Sequence, residues 1–228
     1  GVLLPTGEVM VFSGADRDEV LLPGTGAAIL DTEIFDPKTE TWRVMARQHN
    51  PRTYHNTAML LPDGRVLVGG HSPINTGYLF SLDLSALGLS PNQGRDPSFE
   101  IYSPPYMYAA NRPRITSAPN SASHGATISV NTEGSNIKEV LLVKRTTLTH
   151  IIDGDQRTVV LPHTGTNNLQ VRLPSQKGAL PPGAYMLFVV SEDASGKRVP
   201  SVSVPFTVEG ADNRAIGCNT ATPRVAKR

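Results

Sequence analysis

Pro51-Arg52-Thr53-Tyr54-His55-Asn56-Thr57-Ala58-Met59-Leu60-Leu61-Pro62-Asp63-Gly64-Arg65-Val66-Leu67-Val68-Gly69-Gly70 is the stretch that decides how this chain is read. It sets a phenol and an imidazole side by side at the head of an apolar strand, then a turn, a second strand and a glycine pair. Its second half has an earlier copy. Leu3-Leu4-Pro5-Thr6-Gly7-Glu8-Val9-Met10-Val11 matches Leu60 to Val68 at a constant offset of 57. Glu33-Ile34-Phe35-Asp36-Pro37 matches Glu100-Ile101-Tyr102-Ser103-Pro104 at an offset of 67, so the second copy carries ten extra residues. These are expected in the loop from Ser72 to Asp96.

Each copy reads as strand, Pro-x-Gly turn, strand, small-residue pair, long loop and strand. Thr6-Gly7 and Asp63-Gly64 supply the positive-φ position that a tight hairpin needs. A sheet of this kind cannot bury both faces alone and stacks on neighbours, as a propeller blade does. The chain holds under two such blades, whereas closed propellers use roughly four to eight. It is expected to be the end of a longer protein, with the rest of the propeller as its missing N-terminal partner. Adjacent strand residues point to opposite faces, so Tyr54 and His55 can meet one ion only from a bend or before the strand settles.

The 228 residues allow one large or two medium domains. Twenty glycines and 19 prolines, with few helix-compatible windows, point to strands joined by turns. The 21 basic and 20 acidic residues nearly cancel, which gives no indication of a nucleic-acid or other polyanion-binding surface. No apolar run approaches the roughly 18 residues of a membrane span. Cys218 is the only cysteine and lies in a polar tail, so no disulfide is expected within the chain.

From Arg112 the pattern changes to short alternating segments bounded by Gly, Pro, Asn or Ser. Strands are expected at Ala126–Val130, Lys138–Thr146, Thr158–Leu161, Leu169–Leu173, Gly183–Ser191 and Val199–Val208. With Pro113-Arg114-Ile115 opening the run, they read as an immunoglobulin-like sandwich without its Cys-Trp-Cys spacing. The fold class is therefore all-β. The expected domains are propeller blades over 1–111, a sandwich over 112–208 and a polar tail over 209–228.

Gly69-Gly70, and Phe35 with Trp42 of Glu40-Thr41-Trp42-Arg43-Val44-Met45, resemble the kelch repeat. Four further stretches are similar to the galactose oxidase and glyoxal oxidase family of copper-radical oxidases: Arg52-Thr53-Tyr54-His55, Phe99 to Tyr108, Thr149-His150-Ile151-Ile152-Asp153-Gly154-Asp155-Gln156-Arg157, and Pro181 to Val189. The resemblance runs from Gly1 to about Val208. It implies kelch blades followed by an E-set immunoglobulin-like domain whose hairpin enters the propeller channel. It further implies copper held by Tyr54 as axial ligand, His55 as an equatorial imidazole and His150 as the imidazole brought by the hairpin. Tyr54 would also be the catalytic base. The reaction implied is oxidation of a primary alcohol or aldehyde, of carbohydrate or glyoxal type, with O2 reduced to H2O2. The setting implied is extracellular or at the cell surface.

The residue types suit that chemistry. Two neutral imidazoles with phenolate oxygen favour tetragonal Cu(II), and a weakly held phenolate can take a substrate proton. Asp155 or Gln156 could orient the His150 imidazole from behind. The second one-electron centre, a tyrosine cross-linked to cysteine in the family, is expected upstream, so this chain alone supplies an incomplete site. The competing readings are a non-catalytic kelch and E-set protein binding carbohydrate or cell-wall material, and a two-histidine site for zinc or iron. Asp153-Gly154-Asp155 lacks the further acidic ligands of a calcium loop. His49, His71, His124 and His163 read as loop or edge residues, Tyr102, Tyr106 and Tyr108 as core, and Trp42 as a packing residue.

Overall fold

A computed structural model describes residues 1–16, 28–53, 55–70, 98–134, 136–149 and 152–210. The loop from Ser72 to Asp96, His71 and Cys218 lie outside the described residues, as does the tail beyond residue 210. Among the described residues there is no α-helix, and no helix is long and apolar enough to cross a membrane.

Strands β1 (Val2–Leu3), β2 (Val9–Val11), β3 (Glu33–Asp36) and β4 (Thr41–Val44) form one antiparallel sheet in sequence order. Strands β5 (Thr57–Leu60), β6 (Val66–Gly69) and β7 (Phe99–Tyr102) form a second. The internal repeat is reproduced down to register, because Met10 pairs with Ile34 and Leu67 with Ile101. The two Pro-x-Gly turns share their bonding as well. Gly7 N–H donates to Leu4 O and Gly64 N–H to Leu61 O, each at 2.9 Å, with φ of 82° and 94° at the two glycines.

The sheets stack head to tail. Val2, Met10 and Ile34, on one face of the first sheet, share a core with Leu60, Val66 and Val68, on the non-equivalent face of the second. Phe12 and Tyr102 meet edge to face across this seam at 5.4 Å. Each sheet therefore keeps one apolar face uncovered. On the first it carries Phe35, Trp42 and Val44; on the second, Phe99 and Ile101. Trp42 stacks on Phe35 at 5.0 Å yet stays 56% exposed, so its packing partner is a side chain of its own sheet.

The remaining strands are β8 (Arg114–Ser117), β9 (Ser121–Ser123), β10 (Thr127–Glu133), β11 (Ile137–Lys144), β12 (Leu148–Thr149), β13 (Ile152–Asp153), β14 (Thr158–Leu161), β15 (His163–Thr164), β16 (Asn168–Arg172), β17 (Gly183–Glu192), β18 (Arg198–Pro200) and β19 (Val204–Glu209). They make a sandwich of β15-β16-β10-β8 against β14-β11-β17-β19-β9, with β18 also on β17 and β12-β13 as a separate hairpin. In β10 and β16, Ile128, Val130, Leu169 and Val171 point inward while Ser129 and Gln170 are exposed, as a half-solvated sheet requires.

The run Tyr185-Met186-Leu187-Phe188-Val189-Val190 in β17 has no polar alternation because both its faces are covered. Tyr185, Leu187 and Val189 enter the sandwich core, while Met186, Phe188 and Val190 enter the core of the two stacked sheets, joined there by Leu141 and Val143 of β11. Burying each such side chain is worth roughly 1.5–3 kcal/mol. This shared strand holds the sandwich on the sheets.

Polar contacts complete the docking at the two repeated turns. Arg198 Nη1 donates to Thr6 O, and Arg112 Nη2 donates to Asp63 O at 2.9 Å, so the same turn position takes an arginine in both copies. Ser203 adds bonds from N and Oγ to Pro62 O, both 2.9 Å. Ser203 also explains a departure from expectation. The single strand expected at Val199–Val208 is broken into β18 and β19. Ser201 stays on β17, bonded to Val189, while the chain turns aside for Ser203 to reach the sheet.

Strand β9, which carries no apolar signal in the sequence, pairs in parallel with β19. Glu209 secures it by accepting from Ser121 Oγ at 2.7 Å and Ser123 Oγ at 2.8 Å. The Ser121 and Ser123 hydroxyls hold the Glu209 carboxyl below its ordinary pKa. Because the folded value is depressed, its contribution is in place above the ordinary glutamate pKa and is lost as pH falls through the folded one. Glu209→Gln should make the fall in Tm shallower between about pH 5 and pH 3, as measured by thermal unfolding across that range.

Candidate functional site

The backbone bends on entering β5. His55 has φ of 50°, a left-handed conformation that costs a non-glycine residue about 1–2 kcal/mol. Such strain persists only where the surroundings enforce it, and it clusters at functional sites. Here the surroundings are explicit. Asn56 Nδ2 donates back to Arg52 O at 2.8 Å, closing the bend, and Gly14 N–H donates to the same carbonyl at 2.9 Å.

Arg52 is fully buried and braces the bend from below. Its Nη1 donates to Gly70 O at 3.0 Å and its Nη2 to Ser98 Oγ at 3.1 Å, with Glu100 Oε1 at 3.8 Å. Glu100 in turn accepts the backbone N–H groups of His49 and Asn50, each at 2.9 Å. Gly70, at φ 81°, lies so close that a Cβ there would stand 2.5 Å from His55 O. The second glycine of the pair is therefore needed for the backbone to approach the bend. His55 itself is exposed. Tyr54 lies outside the described residues.

The second donor segment follows β11. Strands β12 and β13 pair Leu148 with Asp153 and Thr149 with Ile152. In sequence they flank His150, which also lies outside the described residues. The base of the hairpin is tied by Asp153, whose Oδ1 accepts from Thr147 N–H at 3.2 Å and Asp155 N–H at 3.4 Å. Asp155 Oδ2 stands 3.6 Å from Lys144 Nζ on β11. Gln156 reaches across to the first sheet, where its Oε1 accepts from Leu3 N–H at 2.5 Å and its Nε2 donates to Gly1 O at 3.3 Å. Of the two residues expected to orient the imidazole, one pairs with Lys144 and the other with β1. Strand β1 belongs to the core that also holds Leu60 of β5, so the roots of the two segments expected to carry ligands attach to one seam.

The other residues singled out in the sequence fall elsewhere. Of Tyr102, Tyr106 and Tyr108, only Tyr106 is fully core; Tyr102 is half buried and Tyr108 is 80% exposed. Tyr106 donates to Gly64 O at 2.5 Å, and burial pushes its phenol above the ordinary range against the pull of Arg112. His49 is exposed, His124 Nε2 lies 2.7 Å from Leu180 O, and His163 sits in β15. A cleft of about 780 Å³ opens beside the Thr6 turn. Among its charged lining groups Arg43 pairs with Glu8 on the first sheet and Arg198 with Glu139 on the sandwich, and the cleft lies between the two. Sequence reasoning missed Arg52 and Asn56. Both bond main-chain carbonyls, which leave no complementary residue type in the sequence to signal the contact.

Known proteins align with this chain over most of its length. A family model described as glyoxal oxidase N-terminus matches residues 1–106, and one described as galactose oxidase-like, early set domain, matches 112–208. A galactose oxidase of Gibberella zeae is 30% identical over 91% of this chain and 28% of its own length. An aldehyde oxidase of Arabidopsis thaliana is 33% identical over 83% of this chain and 32% of its own length. The chain thus spans less than a third of either relative. Among solved structures, a fungal alcohol oxidase of the AA5 family in complex with copper superposes with a TM-score of 0.74, at 25% identity, over 92% of this chain and 41% of its own.

Proposed function

This chain belongs to the galactose oxidase and glyoxal oxidase family of copper-radical oxidases, and from that membership we propose that it is the C-terminal part of a secreted oxidase acting on a primary alcohol or aldehyde. In this reading residues 1–111 are kelch blades, 112–208 the E-set domain and 209–228 a tail. The head-to-tail stacking of the two sheets supports it, since such a stack leaves unlike apolar faces at its ends for further blades. The observation that carries the functional reading is the attachment of both donor segments to one seam, through the bend at His55 and the Gln156 contact with β1.

The donors fit copper. Tyr54, His55 and His150 supply phenolate oxygen and two imidazoles, a set suited to Cu(II). Among the described residues no three His, Cys, Asp or Glu side chains gather as a metal site without them. When bound, copper supplies a one-electron acceptor and a Lewis acid. His55 and His150 would hold it as neutral imidazoles. Tyr54 would take the substrate hydroxyl proton on its phenolate oxygen, as general base. Removing two electrons from an alcohol needs a second one-electron centre, which we assign to a Cys-Tyr pair outside this chain.

The deciding experiment is metal analysis of the full-length protein with a peroxide assay on alcohols and aldehydes. We expect one copper per chain and H2O2 formed in step with carbonyl product. Stoichiometric zinc or iron, or copper without peroxide, would refute the reading.

A further inference from the structure

Alternate residues along a strand turn their N–H and C=O to opposite edges. Leu4 N–H turns toward β2, donating to Glu8 O at 2.9 Å. Leu3 N–H and Gly1 O therefore face the other edge of β1, which ends its sheet. Unpaired groups on such an edge need a partner. A glutamine side chain can be one, because its amide carries an acceptor and a donor on one carbon, as a peptide does. Gln156 Oε1 takes the Leu3 N–H at 2.5 Å and its Nε2 gives to Gly1 O at 3.3 Å. These two groups flank Val2, as the groups bonded by one residue of a parallel strand would.

From this geometry we propose that Gln156 is a positioning residue for the His150 hairpin, its amide serving as a one-residue strand on the edge of β1. This rests on the reading of His150 as a metal ligand. The link to the hairpin is short and braced. Gln156 N–H reaches Asp153 O at 3.4 Å, and Asp153 Oδ1 holds both Thr147 and Asp155. From the other side, Lys144 N–H donates to Arg157 O at 2.8 Å, fixing the exit onto β11. At the far end of the clamp, Val2 is packed in the core with Leu60 of β5, the strand that His55 introduces. The amide thus fixes one donor segment relative to the other.

The test compares Gln156→Ala and Gln156→Glu in the full-length protein. In the metal-free state, hydrogen exchange at the Leu3 amide should rise roughly five- to tenfold in Gln156→Ala, the effect of losing one net hydrogen bond. Gln156→Glu keeps the acceptor for Leu3 but cannot donate to Gly1 as a carboxylate, and should retain most of that protection. In the copper-loaded state, Gln156→Ala should alter the Cu(II) EPR spectrum and lower kcat with KM little changed. Unchanged Leu3 exchange in Gln156→Ala would overturn the clamp. Faster exchange with an unaltered spectrum and kcat would overturn its positioning role. The ligand reading fails in a different variant, by copper retained in His150→Ala, so the two failures are told apart.

Discussion

His150→Ala is expected to leave the full-length protein folded and unable to keep copper through dialysis. In sequence His150 falls between Thr149 and Ile152, the inner pair of the β12-β13 hairpin. A substitution away from core, caps and networks stays within about 0.5 kcal/mol in stability. Its effect on the metal is of another order. Losing an outer-shell partner costs roughly 10–100-fold in metal affinity, and losing one of two imidazoles should exceed that. Competition with a chelator of known affinity, read beside thermal unfolding, checks both halves. Stoichiometric copper at unchanged affinity would remove His150 from the ligand set, and with it the main reason for reading the hairpin as functional.

Gly70→Ala is expected to destabilise the protein by about 2–4 kcal/mol, the sum of a left-handed residue gaining a side chain and a backbone clash of the overpacking kind. The clash is specific. The new methyl would lie 2.5 Å from His55 O, and the opposing atom is backbone, which cannot rotate away. Relief requires moving either the bend at His55 or the Gly70 carbonyl that Arg52 holds at 3.0 Å. Urea denaturation measures the loss, and a mutant Cm within error of the parent would show that the glycine pair has no such role. Copper affinity should fall in the same variant, because the bend relieved by the shift carries His55.

How much of this was legible in advance follows from what kind of group each residue binds. The repeat, its register and the two turns were readable because cross-strand pairing and positive φ both leave a periodic or glycine signature. The alternation of β10 and β16 was readable for the same reason, whereas β17, read as one more alternating strand, is buried on both faces. Arg112, Arg198, Gln156 and the Asn56 clip were not readable. Each bonds main-chain carbonyls or amides, which every residue possesses, so no complementary residue type appears elsewhere in the sequence to betray the contact. The break at Ser201 to Ser203 was hidden likewise, since its cause is Pro62 O in a distant turn. Of the three proposed ligands only His55 is described in the structure. Strand geometry left two ways for Tyr54 and His55 to meet one ion, from a bend or ahead of the settled strand, and His55 takes a left-handed backbone just before β5.

Because β17 lends alternate side chains to two hydrophobic interiors, the boundary between the stacked sheets and the sandwich is not a line along which the molecule can come apart. A nick near residue 111 would leave Leu141, Val143, Met186, Phe188 and Val190 still wedged among Val2, Met10 and Val66. Melting should accordingly be cooperative across the junction, one transition reported alike by probes in either half.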